Sequence, residues 1–267
     1  MSNTNLMVAI MAGGLGKRMK SDLPKVLHML GESPILVHVV RAALSLYRSG
    51  ENLLKVLIIV GKYHLIIKET LEKYLLKDEI KFIEYVLQDV PKGTGHAVQQ
   101  ILPILKEYSI AKVIVLSGDV PLISTKTLLG LLATYDFAFP TNAVIITTTL
   151  DNPTGNGRIV RDKQGEFLHI VEEKDATLNE KLITEVNAGI YLFNAKALIK
   201  QLPKIKDDNA QKEFYLPDVL PLLKDKGYRI VSYIMDKEDQ YELMNINDPA
   251  GLKDAEKVYR DLRENRF

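Results

Sequence analysis

Cysteine is absent from the 267 residues, which removes disulfides, thiolate metal sites and a cysteine nucleophile, and fits a reducing compartment. Net charge is nearly absent too: 35 Lys and Arg against 34 Asp and Glu leave +1, too little for the basic face of a nucleic-acid binder. No apolar run reaches the length of a membrane span, because Gly13 cuts the first one short. A secretion signal places its cations before its apolar stretch, and here they follow it. No repeat, low-complexity tract or linker interrupts the chain, and the five histidines lack ligand spacing such as H-E-x-x-H. A soluble, cytoplasmic protein that works without nucleic acid or membrane is therefore expected. With 46% hydrophobic and 26% charged residues the chain is ordinary for a globular protein, and long enough for one large α/β domain or two small ones.

What is present is concentrated in Met7 to Lys25, MVAIMAGGLGKRMKSDLPK. The apolar run Leu6 to Ala12 reads as a buried strand entering a glycine loop at Gly13, Gly14 and Gly16. Glycine lets backbone amides approach an anion closely, and inward-turned amides make a concavity for phosphate oxygens. Lys17, Arg18, Lys20 and Lys25 add charge against the single acid Asp22. The stretch reads as a triphosphate cradle, although a glycine cluster after a strand is also an ordinary turn. Two familiar templates are excluded. Lys17 is followed by Arg18 where a P-loop needs Ser or Thr, and Met19 stands where a dinucleotide fingerprint needs its third glycine.

Strand-like and helix-like runs alternate up to Thr149. Strands are expected at 55–60, 82–87, 113–116 and 143–149, with helices at 65–74, 94–105 and 125–134. Ser33-Pro34 reads as a helix start, with Ile35, Leu36, Val39, Val40, Ala43, Leu44 and Tyr47 on one buried face. This alternation implies a doubly wound, mostly parallel sheet. After a turn-rich loop at 151–157 come short strands at 158–161 and 167–172, readable as a hairpin across 162–165. A long strand at 185–193, a helix at 215–223, a strand at 229–234 and a closing helix at 250–262 follow.

Asp119, just past the most apolar strand, stands where ligands bind in open α/β sheets and suits a hard cation such as Mg²⁺; it reads equally as a turn aspartate. Gln88 ends a strand and Gly93-Thr94-Gly95 opens a helix, so an amide and nearby backbone can read a pyrimidine edge; a loop with a threonine cap is the plainer alternative. Glu172 and Asn187 interrupt strand-like runs with the groups that sugar hydroxyl and acetamido substituents bind, or they face solvent on an edge strand. Asn245 to Pro249 is a turn before the last helix, and is also readable as a cap.

Together these residues carry a resemblance. AGGLGKRMKSDLPKVLH, VLQDVPKGTGHAV, VLSGDVPLI, NPTGNGRIVRD, IVEEKDAT, EVNAGIYLF and NAQKEFYLPDVLPLL are similar, in order and spacing, to sugar-phosphate nucleotidylyltransferases, and within them to the uridylyltransferases acting on N-acetylglucosamine 1-phosphate. The resemblance runs from about Val8 to about Pro249. It implies a Rossmann-like mixed, mostly parallel sheet forming one domain over 4–265: a nucleotide-binding lobe at about 4–120, a smaller sugar-binding lobe at about 121–235, and a metal-binding turn with the last helix at about 236–265. It implies UTP and N-acetylglucosamine 1-phosphate as substrates and Mg²⁺ as cofactor. Ala12, Gly13 and Gly14 would contact the nucleotide, Gln88, Gly93 and Thr94 would read uracil, and Arg18 and Lys25 would act on the phosphates. Asp119 and Asn247 would bind the metal, and Gly157, Glu172 and Asn187 the sugar. Lys17 and Gly13 depart from the family's usual Thr and Ala, which leaves the cradle in place and bears on the triphosphate contacts of Lys17; Ser117 and Ala188 depart from the usual Tyr and Thr, which leaves glucose 1-phosphate open as substrate. A non-catalytic sensor of nucleotide sugars is disfavoured because Lys25, Arg18 and Asp119 are all present. Bifunctional relatives add a C-terminal β-helix that acetylates; no hexapeptide repeat precedes Phe267, so that step is not expected.

Overall fold

The computed structural model describes residues 5–138 and 140–264, so the expected domain limits at 4 and 265, and Phe267, lie outside the described residues. A nine-stranded sheet runs through the molecule. Its strands are β1 (Leu6–Met11), β4 (Leu53–Val60), β5 (Ile83–Leu87), β6 (Lys112–Ser117), β7 (Ala143–Thr149), β8 (Arg158–Arg161), β9 (Phe167–Val171), β10 (Glu185–Asn194) and β11 (Ile230–Ile234). The main path is β11-β7-β10-β6-β1-β4-β5, with the β8–β9 hairpin hung from β10. β1 pairs in parallel with β4 and β6, β4 with β5, and β11 with β7, while β10 runs antiparallel between β6 and β7. The sheet is mixed and mostly parallel, as expected.

Strand alternation sorts the core onto two faces. Val8 and Ile10 of β1 pack with Val39 and Val40 of α1 (Ile35–Arg48), Ile67 of α2 (His64–Tyr74) and Leu128 of α6 (Thr125–Phe137). Met7 and Ala9 face the other way, against Val98 of α4 (Thr94–Gln99), Leu105 of α5 (Leu102–Glu107), Leu198 of α7 (Ala195–Gln201) and Leu220 of α8 (Val219–Lys224). Helices on both faces make the sheet doubly wound. A third cluster, Met19, Leu30, Ile35, Ile246 and Ala255, seats α9 (Pro249–Glu264) beside the glycine loop. The short α3 (Lys77–Ile80) completes the helices.

Several local expectations change. Ser33 does not cap α1. Ser33 and Pro34 form β3 against β2 (Met29–Leu30), the Ser33 hydroxyl accepts from Arg41 at 3.0 Å, and the Ile35 N–H donates to the His28 carbonyl at 2.9 Å. Backbone thus supplies the acceptor that the hydroxyl was expected to give. Tyr47 is 55% exposed, its ring against Phe82 instead of the core. The helix expected at 94–105 is two, because Pro103 lies in the first turn of the second, where the missing N–H costs least, and cannot continue the first. The expected helix at 215–223 begins as a 3-10 turn, Leu216–Asp218. α7 follows β10 directly, capped by Asn194 accepting from the Ala197 N–H at 3.0 Å, and was not anticipated. Among the described residues no helix is long and apolar enough to cross a membrane.

Candidate active site

β1 ends at Met11, and Ala12 extends the ladder by donating to the Ile59 carbonyl at 2.8 Å. The chain then turns through Gly13, Gly14 and Gly16. Gly16 has φ 58°, and a Cβ there would stand 2.6 Å from Lys25 Cβ, so the loop folds back onto Lys25 only with glycine at this position. Beyond the carboxyl ends of these strands lies a cavity of about 390 Å³, lined by Ala12, Gly13, Gly14, Lys25, Gln88, Gly93, Thr94 and Asp119. That size is within the range of small-molecule sites.

Gln88 is buried, its amide nitrogen donating to the Gly93 carbonyl at 3.2 Å and to His96 Nδ1 at 3.0 Å. Burial, and secondarily Lys92, hold His96 below its usual pKa, so the neutral ring can accept that bond. The Gln88 carbonyl oxygen is left on the side of Gly13. Gly93 has φ 107°, and a Cβ would meet the Phe214 carbonyl at 2.6 Å. Thr94 is the first residue of α4, with Gly93 at the cap, and its hydroxyl accepts from the Leu216 N–H at 3.0 Å. The expected threonine cap is therefore a tether to the later half of the chain.

Lys25 and Asp119 meet. Lys25 Nζ donates to Asp119 Oδ2 and, at 3.0 Å, to Asn247 Oδ1, which also accepts from Arg18 at 2.9 Å. The turn carrying Asn247 is held there because the Ile246 N–H donates to the Asp119 carbonyl at 2.9 Å. Asp248, not Asn247, serves the helix, accepting from the Gly251 N–H at 2.9 Å. Asp119 is 8% exposed, and its Oδ1 is buried without a hydrogen-bond partner among the described residues. Arg18 and Asn247 line neither cavity and reach the site through these bonds.

Met11, Thr94, Ser117 and Asp119 also line a second cavity of about 200 Å³, completed by Gly157, Glu172, Asn187, Ala188 and Tyr191. Asn187 lies on β10, an interior strand, so the edge-strand reading fails for it. Its amide nitrogen donates to the Tyr191 hydroxyl at 2.7 Å, and its oxygen accepts from the Gly189 N–H at 3.0 Å. Burial raises the Glu172 carboxyl above its ordinary pKa, Asp218 and Asp175 push the same way, and Arg158 opposes them.

The description that matches this chain, over residues 7–246, is Nucleotidyl transferase. The chain belongs to the nucleotidyl transferase family. It is 42% identical over 256 residues to the bifunctional protein GlmU of Carboxydothermus hydrogenoformans, covering 96% of this chain and 53% of that protein, so it spans about half the length of that relative. It is 36% identical over 256 residues to a probable UDP-N-acetylglucosamine pyrophosphorylase of Acanthamoeba polyphaga mimivirus, covering 95% of this chain and 96% of the other. Among solved structures, a putative glucose-1-phosphate thymidylyltransferase from Bacillus anthracis, in complex with sucrose, shares the fold with a TM-score of 0.70 and 17% identity over 96% of each chain.

In this nucleotidyl transferase, every site residue expected from sequence lines one of the two cavities except Asn247, which accepts from the cavity residue Lys25, and Arg18, which donates to Asn247. Sequence reasoning missed the supports. His96 orients Gln88, Tyr191 holds Asn187, Phe214 packs on Gly93, and Glu213 and Ser117 line the first cavity. His96 lies eight residues after Gln88, Tyr191 four after Asn187 and Ser117 two before Asp119, so these had local neighbours, whereas Glu213 and Phe214 come from a remote part of the chain.

Proposed function

We propose that this nucleotidyl transferase moves a uridylyl group from UTP to N-acetylglucosamine 1-phosphate, giving UDP-N-acetylglucosamine and pyrophosphate, and that it does so with Mg²⁺ in the cytoplasm. The observation carrying this reading is the meeting of Lys25, Asp119 and Asn247 at the seam of two cavities, one sized for a nucleotide, the other lined by a carboxylate and an amide. The name of the viral relative, which this chain matches nearly end to end, supports the same substrate pair.

The fixed Gln88 amide leaves its oxygen free to accept from the uracil N–H, with Gly93 and Thr94 beside it. The backbone at Ala12, Gly13 and Gly14 lies under the triphosphate, and Arg18 holds the departing pyrophosphate. A phosphate oxygen of the sugar phosphate attacks the α-phosphorus, the bond to the bridging oxygen of the β-phosphate breaks, and pyrophosphate leaves opposite. Lys25 neutralises charge on the phosphorus being transferred, so catalysis is positioning plus charge stabilisation, with no covalent enzyme intermediate. Gly157, Glu172 and Asn187 hold the sugar.

The donor set suits the metal. Among the described residues Asp119 Oδ1 is buried and has no hydrogen-bond partner, and no cluster of three His, Cys, Asp or Glu offers an all-protein cage, while Asn247 supplies an amide oxygen beside Asp119. Mg²⁺ is bound by few protein oxygens plus substrate phosphates, and when bound it supplies charge neutralisation for those phosphates. The test is pyrophosphate release from UTP with N-acetylglucosamine 1-phosphate or glucose 1-phosphate, with and without Mg²⁺. Metal-dependent release that favours the acetamido sugar is expected; a folded preparation that releases none overturns the proposal.

A further inference from the structure

A buried cation stands next to the sugar-side cavity and takes no part in the mechanism above. Arg158, the first residue of β8, is 1% exposed. Its guanidinium donates to the Asn156 carbonyl and, at 2.6 Å, to Glu173 Oε2. The same Glu173 oxygen accepts from the Gly155 N–H at 3.0 Å, and Lys181 lies 3.7 Å from the other. One ion pair therefore grips the loop at Gly155 and at Asn156, and that loop is a wall of the cavity. Burying a guanidinium is unfavourable unless it is paired and hydrogen-bonded, so the arrangement calls for an explanation.

The loop is coupled to both proposed sugar ligands. The Gly157 carbonyl accepts from the Asn187 N–H at 2.9 Å, and a Cβ on Gly157 would stand 3.1 Å from Glu172 Oε1. We infer, resting on the sugar-phosphate reading above, that Arg158 and Glu173 are positioning residues for the sugar: their ion pair fixes Gly155 to Gly157 against Glu172 and so sets how the cavity grips the sugar's hydroxyl and amide groups. The pair also works through charge. Glu172 is faced by Asp218 from the 3-10 turn, Asp175 from the turn after β9, the hydroxyls of Tyr191 and Tyr215, and Arg158. Arg158 is the one group among these that favours the ionised carboxylate, the form that accepts from sugar hydroxyls.

The consequence is selective: losing the pair weakens the sugar side and spares the nucleotide side. Steady-state kinetics with UTP and N-acetylglucosamine 1-phosphate test it in Glu173→Gln, in Arg158→Lys, and in the double variant Arg158→Met with Glu173→Leu, which removes both charges together and so leaves none buried alone. Glu173→Gln raises KM for the sugar phosphate about tenfold, the scale of one charge-assisted hydrogen bond, with kcat and KM for UTP within about twofold. Protonating Glu172 removes an acceptor, so KM for the sugar phosphate rises as pH falls. The midpoint of that profile moves to higher pH in the double variant and stays near the wild-type value in Arg158→Lys. Ionisation of the substrate phosphate is common to all variants and cancels in the comparison. If both KM values rise together, or if variants with wild-type circular dichroism show neither the KM rise nor the midpoint shift, the clamp is wrong. If the unmodified protein uses no sugar 1-phosphate at all, the proposed activity fails instead.

Discussion

At the scale of single residues, the proposed mechanism asks most of Lys25. This lysine donates to both Asp119 and Asn247, so its charge stands where the two cavities meet. Replacing it with Met removes charge from the reaction centre, and turnover falls on the order of a hundredfold or more, the size typical for one preorganised electrostatic donor. Pyrophosphate release at saturating substrates measures it; turnover within tenfold of wild type removes this role for Lys25. Asp218 gives a prediction about stability instead. Burial first, then Asp175, raises its carboxyl from 3.8 to about 6. The folded chain thus holds a proton in that window that the unfolded chain has lost. Stability contributed by this group falls as pH climbs from about 4 to about 6, and the full penalty persists above that. Asp218→Asn removes the penalty, about 1–2 kcal/mol once screening of a half-exposed group is allowed for. Thermal melts of the two proteins should separate above pH 6 and converge near pH 4; separation in the opposite sense refutes the assignment.

At the scale of elements, α4 is held to the later half of the chain by backbone. The Gly95 N–H donates to the Phe214 carbonyl at 2.7 Å and the Phe214 N–H to the Lys92 carbonyl at 2.8 Å, with Gly93 between them at φ 107°. Gly93→Ala forces a methyl against the Phe214 carbonyl in a backbone region that L residues rarely adopt, for a loss of about 1–3 kcal/mol or more. It should lower the melting temperature and raise KM for UTP more than KM for the sugar phosphate; equal effects on both would show that α4 does not serve the nucleotide side alone. The sequence made the front of this site legible because a glycine loop after a strand, a carboxylate past a buried strand and an amide at a strand end are local signals. The boundaries of β7 and β8 were readable for the same reason. What could not be read was tertiary. Lys25 lies 94 residues from Asp119 and 222 from Asn247, and nothing local announces either contact. Nor does the local pattern show that Arg158 would be buried with Glu173, since Arg-Ile-Val-Arg reads simply as a strand. Ser33 misled because its cap chemistry was real but the neighbouring β-ladder already supplied the acceptor.

At the scale of the whole molecule, the two cavities share a wall of Met11, Thr94, Ser117 and Asp119, so the halves of a nucleotide sugar would lie in adjoining sites. A ligand spanning both gains the effective concentration of a link that two separate fragments lack. A ligand that binds only the folded chain at a hundred times its Kd stabilises it by about 2.7 kcal/mol, which for a domain of this size moves the melting temperature by about 5–10 °C. UDP-N-acetylglucosamine should therefore raise the melting temperature by more than UMP and N-acetylglucosamine 1-phosphate added together at the same concentrations. Asn187→Ala should cut the shift from the nucleotide sugar and leave that from UMP intact, because Asn187 lines only the second cavity. A nucleotide sugar that stabilises no better than UMP would mean that the second cavity takes no part in binding, and the division of the molecule into a nucleotide side and a sugar side would fall with it.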